Sequence, residues 1–173
     1  MSKEPNVIIL TEENRRRLTM VLYLVQHAEA RSEEEDAARD LTEKGRMDIE
    51  SVAHHLKRLN VQVRQIFHSG KTRAQSTAQV LARHLQPPAG ISKAQGLAPL
   101  DGPEIWADRI AKLDEDTLLV GHLPHLANLA ALLITGNKKN SVLNFQMGGA
   151  VRLRRMESGY WAVDWMVVPE TIL

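Results

Sequence analysis

Val21-Leu22-Tyr23-Leu24-Val25 is an unbroken run of strand-forming residues that stops at Gln26-His27-Ala28-Glu29. A strand without polar alternation has to be covered on both faces, as in the middle of an α/β sheet. In open sheets of that kind the ligand crevice lies just beyond the carboxyl ends of the strands. His27 falls there, and the small Ala28 beside it leaves the imidazole room to face a cavity. A histidine at a strand end more often serves structure than chemistry, so the rest of the chain has to decide its role.

The arrangement recurs. Val63 to Phe67 predicts a second strand, ending on His68-Ser69-Gly70-Lys71-Thr72-Arg73, and Thr117 to Val120 a later one, closed by Gly121-His122. Between them the spacing is helical. Thr42 is the N-cap of a helix whose buried stripe is Ile49, Val52, Ala53, Leu56 and Leu59, with His54 and His55 flanking it on the exposed side. Ala74, Thr77, Ala78, Leu81 and Leu85 line one face of a second helix, which Pro87-Pro88 stop. Residues 89–101 form a short strand or extended connection. A third helix runs from about Pro103 to Leu113, with Asp101 and Glu104 at its entrance, where acids commonly cap. Leu123-Pro124 opens a fourth that ends at Gly136-Asn137, and His125, just inside it, has a weaker claim on a site than His122. Strands follow over Ser141–Gln146, Ala150–Met156 and Tyr160–Val167, the last two joined by a Ser158-Gly159 hairpin signal. The fold class is therefore α/β: a three-layer α/β/α domain with a mixed, mostly parallel central sheet.

With 173 residues the chain is expected to be one domain, residues 20–173, too small to add a cap domain. Residues 1–19 read as a flexible leader, or as sequence ahead of an alternative start at Met20, and Arg15-Arg16-Arg17 within them as a solvated basic run. Lys and Arg number 22 against 21 Asp and Glu, so no global field points to nucleic acid or an anionic membrane. Any anion site must be local. Cysteine is absent, which excludes disulfides, thiolate catalysis and thiolate metal sites. Neither Val7-Ile8-Ile9-Leu10 nor Leu126–Ile134 makes a signal core or a membrane span, so the expectation is a soluble, cytoplasmic protein. The acidic segment Ser32-Glu33-Glu34-Glu35-Asp36 reads as solvated surface that could screen the mouth of a site.

The segment after the second strand is the local anion site. A strand, a Ser-Gly turn and a helix carrying Lys71 and Arg73 in its first turn place amides, the positive helix end and two cations together. The helix dipole disfavours cations at that end. Their presence argues for an anion between them.

Four segments then occur in a telling order: Leu24-Val25-Gln26-His27-Ala28-Glu29-Ala30, Leu41-Thr42-Glu43-Lys44-Gly45, Ser69 through Arg73-Ala74-Gln75-Ser76-Thr77-Ala78, and Val120-Gly121-His122-Leu123-Pro124. In order and spacing, over roughly residues 20–168, they resemble the histidine phosphatase superfamily. The similarity is greatest to its short, capless SixA-type phosphohistidine phosphatases. The resemblance implies a phosphoglycerate mutase-like fold, no cofactor and no metal, His27 as the nucleophile, and Arg73 and His122 as phosphate-binding catalytic residues. It also marks a departure: the family's first motif reads Arg-His, and Gln26 stands where that arginine would. Losing one charge-assisted contact costs about 1.5 to 3 kcal/mol. Lys71 is the sequence candidate for restoring the charge, with Gln26, Ser69 and the 69–72 amides as weaker phosphate donors.

In that chemistry neutral His27 attacks phosphorus in line, and water later hydrolyses the phosphohistidine. Preorganised donors hold the equatorial oxygens, and His122 would act best as an imidazolium. Glu29, Asp101 and Glu104 are the candidates for a leaving-group acid, none singled out by its surroundings in sequence. A phosphohistidine substrate relaxes that demand, because its leaving imidazole can already carry a proton near neutral pH. The intervals between elements encode no lid, so the site is expected to be shallow and suited to phosphohistidine displayed on a partner protein such as a phosphotransfer domain or carrier. The alternatives are a general small-molecule phosphomonoesterase and a module that binds phosphoryl groups without turnover, with Gln26 as the lesion.

Overall fold

The computed structural model describes residues 20–172. The expectations for Val7–Leu10 and Arg15–Arg17 lie outside them. Six strands, β1 (Val21–Gln26), β2 (Gln65–His68), β3 (Ile91–Lys93), β4 (Thr117–Gly121), β5 (Ala150–Arg155) and β6 (Trp161–Val167), form one sheet in the order β3-β2-β4-β1-β5-β6. The first four run parallel, while β5 pairs antiparallel with β1 and β6 antiparallel with β5. The helices are α1 (Glu43–Arg58), α2 (Thr72–Leu85), α3 (Glu104–Ile110) and α4 (His125–Thr135). No helix among the described residues is long and apolar enough to cross a membrane.

Every residue of β1 is buried. Alternate side chains go to opposite faces, as a strand's geometry requires. Val21, Tyr23 and Val25 join a core with Ile49, Val52 and Leu56 of α1 and Ala74, Ala78 and Leu81 of α2. Leu22 and Leu24 join a second core with Trp106 of α3 and Leu126 and Leu129 of α4. Each such aliphatic side chain contributes about 1.5–3 kcal/mol on burial. The sandwiched strand thereby fixes where its last residues, Gln26 and then His27, emerge.

Two expectations are corrected. Ser141–Gln146 is not a strand: Leu143 and Phe145 do alternate into the second core, but β1 and β5 already have a partner on each side and leave this segment no ladder to join. Leu59 is not in the buried stripe but 48% exposed, because α1 ends before it and Leu59 serves as the C-cap. His54 is exposed and His55 half-buried.

The turn after β1 is locked to α1. Thr42 caps the helix, accepting from the Gly45 amide at 2.9 Å and donating its hydroxyl to Glu29 Oε1 at 2.6 Å. Only glycine fits at position 45, where a Cβ would lie 2.1 Å from the Glu29 carbonyl oxygen.

Candidate active site

The carboxyl ends of β1, β2 and β4 bring His27, Arg73, His122 and Ser69 together. The His27 amide extends the ladder to the Gly121 carbonyl at 3.1 Å, which sets its ring beside that of His122 with centroids 4.9 Å apart. Nδ1 of His27 lies 2.8 Å from the Ala28 carbonyl oxygen, an acceptor only, so Nδ1 carries the proton. Nε2 is then the unprotonated nitrogen, and it accepts from Arg73 Nε at 3.2 Å. This is the tautomer a nucleophile needs.

Thr77 holds both partners in register. One turn after Arg73, its hydroxyl donates to the Arg73 carbonyl at 2.7 Å and accepts from the Ala28 amide at 3.0 Å. In sequence it reads only as part of the apolar face of α2. Its polarity on that face, four residues beyond Arg73, was the available signal. Gly148 closes the strand end from the other side, its amide donating to the Gln26 and His27 carbonyls at 3.0 and 3.3 Å with φ at +73°.

His122 follows β4 and is 2% exposed. Its Nε2 lies 2.6 Å from Ser69 Oγ, while Nδ1 is buried without a partner among the described residues. Gln26 continues the parity of Leu22 and Leu24 and is 9% exposed, with Oε1 unpartnered among the described residues. Lys71 is the exposed N-cap of α2, near enough to His122 to act on its charge. Within the intervening turn, the Gly70 amide donates to His68 Nδ1 at 3.1 Å and that of Lys71 to Ser69 Oγ at 3.4 Å. His68 is 5% exposed and stabilises this turn.

The candidate acids are spoken for elsewhere. Glu29 is bound to Thr42, Glu104 is exposed and pairs with Lys138, and Asp101 accepts from the Ala98 amide within its own turn at 2.8 Å. Among the described residues, no carboxylate bonds to His27 or His122, and the charged groups that act on them are cations and histidines. A cleft of about 400 Å³ opens from Ser69 and is walled by Lys93, Gln95, Asp101 and Ile105. A larger hollow of about 770 Å³, between Val63–Arg64, Leu85–Gln86 and Asp114–Asp116, lies at the amino ends of the strands, away from these histidines.

Burial, opposed by the Ala28 carbonyl and reinforced by Arg73 and Arg39, lowers the His27 pKa to about 4. Burial, then His27, Arg73, Lys71 and His125, lowers that of His122 to about 3. Protein groups alone therefore keep His122 neutral instead of the imidazolium expected from sequence; a bound phosphoryl dianion is the group that would favour its charged form. Both rings should stay neutral through pH 5, and NMR titration of the histidine ring protons is expected to show this. Stability carries the matching sign. Because the folded-state values lie below the unfolded value near 6.5, the unfolded chain binds protons first as pH falls. Stability is complete above pH 6.5 and is lost on acidification toward pH 4 and 3, each ring contributing up to about 1.4 kcal/mol per pH unit.

The fold is a mixed sheet with helices on both faces, and its carboxyl edge gathers two histidines and an arginine. Residues 22–101 match the histidine phosphatase superfamily (branch 1), and this chain belongs to that superfamily. An uncharacterised protein of Picosynechococcus sp. is 34% identical over 143 residues, 78% of this chain and 85% of that one. The structure of the protein histidine phosphatase SixA complexed with tungstate superimposes with a TM-score of 0.78 at 21% identity, covering 89% of this chain and all (100%) of that one. A phosphoglycerate mutase from Bacillus anthracis gives 0.64 at 12% identity, over 84% and 92% of the two chains. At these identities the likeness is one of fold. It bears out the phosphoglycerate mutase-like α/β class.

Proposed function

We propose that this protein is a phosphatase that carries the phosphoryl group on His27 and takes it from phosphohistidine displayed on a partner protein. The observation that carries the reading is the fixed tautomer of His27: Nδ1 committed to the Ala28 carbonyl and a neutral Nε2 aimed at Arg73. The Nε2 lone pair attacks phosphorus, the bond from phosphorus to the substrate's ring nitrogen breaks, and that pair of electrons leaves with the imidazole. Water then attacks phospho-His27, releasing orthophosphate and returning the lone pair to Nε2. Arg73, His122 and Ser69 hold the equatorial oxygens in both halves, with Gln26 and Lys71 as further donors.

The acids decide between substrates. An alkyl phosphate needs a proton on its departing oxygen; Glu29 and Glu104 are engaged by Thr42 and Lys138, and Asp101, on the wall of the cleft that opens from Ser69, is bonded to the Ala98 amide and to neither histidine. A phosphohistidine whose second ring nitrogen is protonated departs as neutral imidazole and needs none. SixA, a protein histidine phosphatase of this fold, agrees with that choice.

The test compares a phosphotransfer domain phosphorylated on histidine with p-nitrophenyl phosphate. The expected result is a kcat/KM on the order of 100-fold or more in favour of the phosphoprotein, the scale of one missing general acid. Equal or better turnover of the aryl ester would give the site to a small-molecule phosphomonoesterase. Binding of both without turnover would make it a phosphoryl-binding module.

A further inference from the structure

The segment from Arg31 to Asp40 is bound back against the site at both ends. Ala30 bridges to Leu41, the Arg31 amide donates to the Asp40 carbonyl at 2.9 Å, and Asp40 Oδ1 accepts from Ser76 of α2 at 2.6 Å. Ser76 is one turn along α2 from Arg73. Arg39, the residue before Asp40, is thus delivered to the edge of the phosphate site. It is half-buried and has a φ of +53°, uncommon for a residue with a side chain.

Among the described residues its charge has no carboxylate counterpart. The Asp36 carboxylate takes the amides of Ala38 and Asp40 and faces Arg31. Asp40 is shared by the Leu41 amide, Ser76 and Arg46, and Glu35 folds onto Ser32. Among the described residues Arg39 has no carboxylate partner, and its side chain makes one hydrogen bond, from Nε to the Arg31 carbonyl at 3.3 Å. Meanwhile Arg39 acts electrostatically on both His27 and Arg73. The Arg39 and Arg73 charges repel each other, and an anion between them reverses the sign. Forked guanidinium donors match phosphoryl oxygens in particular.

We propose that Arg39 is a phosphoryl-binding residue that supplies the cation missing at Gln26, an assignment that rests on the phosphatase reading of this site. It takes that role ahead of Lys71: Lys71 is exposed and acts on His122, whereas Arg39 acts with Arg73 on the nucleophile. The loop that reads in sequence as an acidic screen is the frame that holds this cation.

The test measures orthophosphate affinity by calorimetry and kcat/KM on the phosphorylated phosphotransfer domain. Arg39→Ala is expected to lose about 10- to 100-fold in both, the worth of one charge-assisted contact, with an unchanged melting temperature and a raised His27 pKa by NMR. Gln26→Arg should restore most of the loss in the Arg39→Ala background. Should Arg39→Ala fail to fold, Arg39→Gln, which keeps a hydrogen-bonding side chain without the charge, serves instead with the same expected losses. Phosphate affinity and kcat/KM equal to wild type in the folded variant would overturn the assignment. The two readings fail separately: a wild type without turnover that still loses phosphate affinity on removal of Arg39 sinks the phosphatase and keeps the anion site.

Discussion

Replacing His27 by alanine is expected to lower turnover by on the order of 10⁴-fold or more, the scale seen when an enzyme loses its nucleophile, and to leave no phosphorylated protein behind. The fold should survive. The backbone bond that anchors this position, from the His27 amide to the Gly121 carbonyl, does not involve the side chain. What disappears is a neutral Nε2 whose tautomer is fixed by the Ala28 carbonyl. The measurement incubates both proteins with a phosphorylated phosphotransfer domain, quenches in alkali and looks for acid-labile phosphate by mass spectrometry. Wild type should carry it on His27 and the variant nowhere. Label on His122 or His68 would remove His27 from the mechanism, and His27→Ala turning over at the wild-type rate would do the same.

That His27 could be singled out from sequence follows from how tightly its surroundings constrain residue types. A strand buried on both faces has to be written in apolar residues, so its end is sharply marked, and β1 reads from Val21 to the histidine without ambiguity. The parallel strands and their helices are legible for the same reason, each pairing a short apolar run with a helical stripe. Thr42 at the head of α1 is legible because capping is local: its partner Gly45 is three residues away.

What could not be read depends on partners distant in sequence. The alternation of Leu143 and Phe145 is genuine and still does not make a strand, because ladder formation needs a free edge and no local pattern reports one. Glu29 and Glu104 carry no mark of their fates, which are set by Thr42 and by Lys138, 34 positions away. Arg39 is hidden most thoroughly. It sits in a run dominated by acids, and only the three-dimensional accounting shows that Asp36 and Asp40 are consumed by amides, Ser76, Arg31 and Arg46, leaving the arginine over. Charge counting along the chain marks this loop as acidic and gives no sign of which of its charges lacks a partner.

Arg73→Ala is the second large effect, and its signature separates function from folding. The guanidinium both orients His27, through Nε to Nε2 at 3.2 Å, and is placed to receive the charge that grows on the phosphoryl oxygens. Removing one preorganised donor of that kind costs about 10²- to 10³-fold in kcat. Lysine should not rescue it, since a single ammonium cannot hold the imidazole and a phosphoryl oxygen in one plane as the guanidinium fork does. Stability should move little. Arg73 has no carboxylate partner among the described residues and is repelled by Arg39, so truncation removes that repulsion along with the hydrogen bond to His27 and a modest amount of packing, which largely offset one another. The His27 pKa should rise from its depressed value, because a neighbouring cation is gone while burial remains. Phosphate release, a thermal melt and a histidine NMR titration on the same variant therefore have a joint expected outcome: activity down two to three orders of magnitude, roughly the ratio given above, a melting temperature equal to or slightly above wild type, and a less acidic His27. A melting temperature that falls with activity would show that Arg73 holds the loop and not the phosphate. The binding role would then pass to Arg39 and His122.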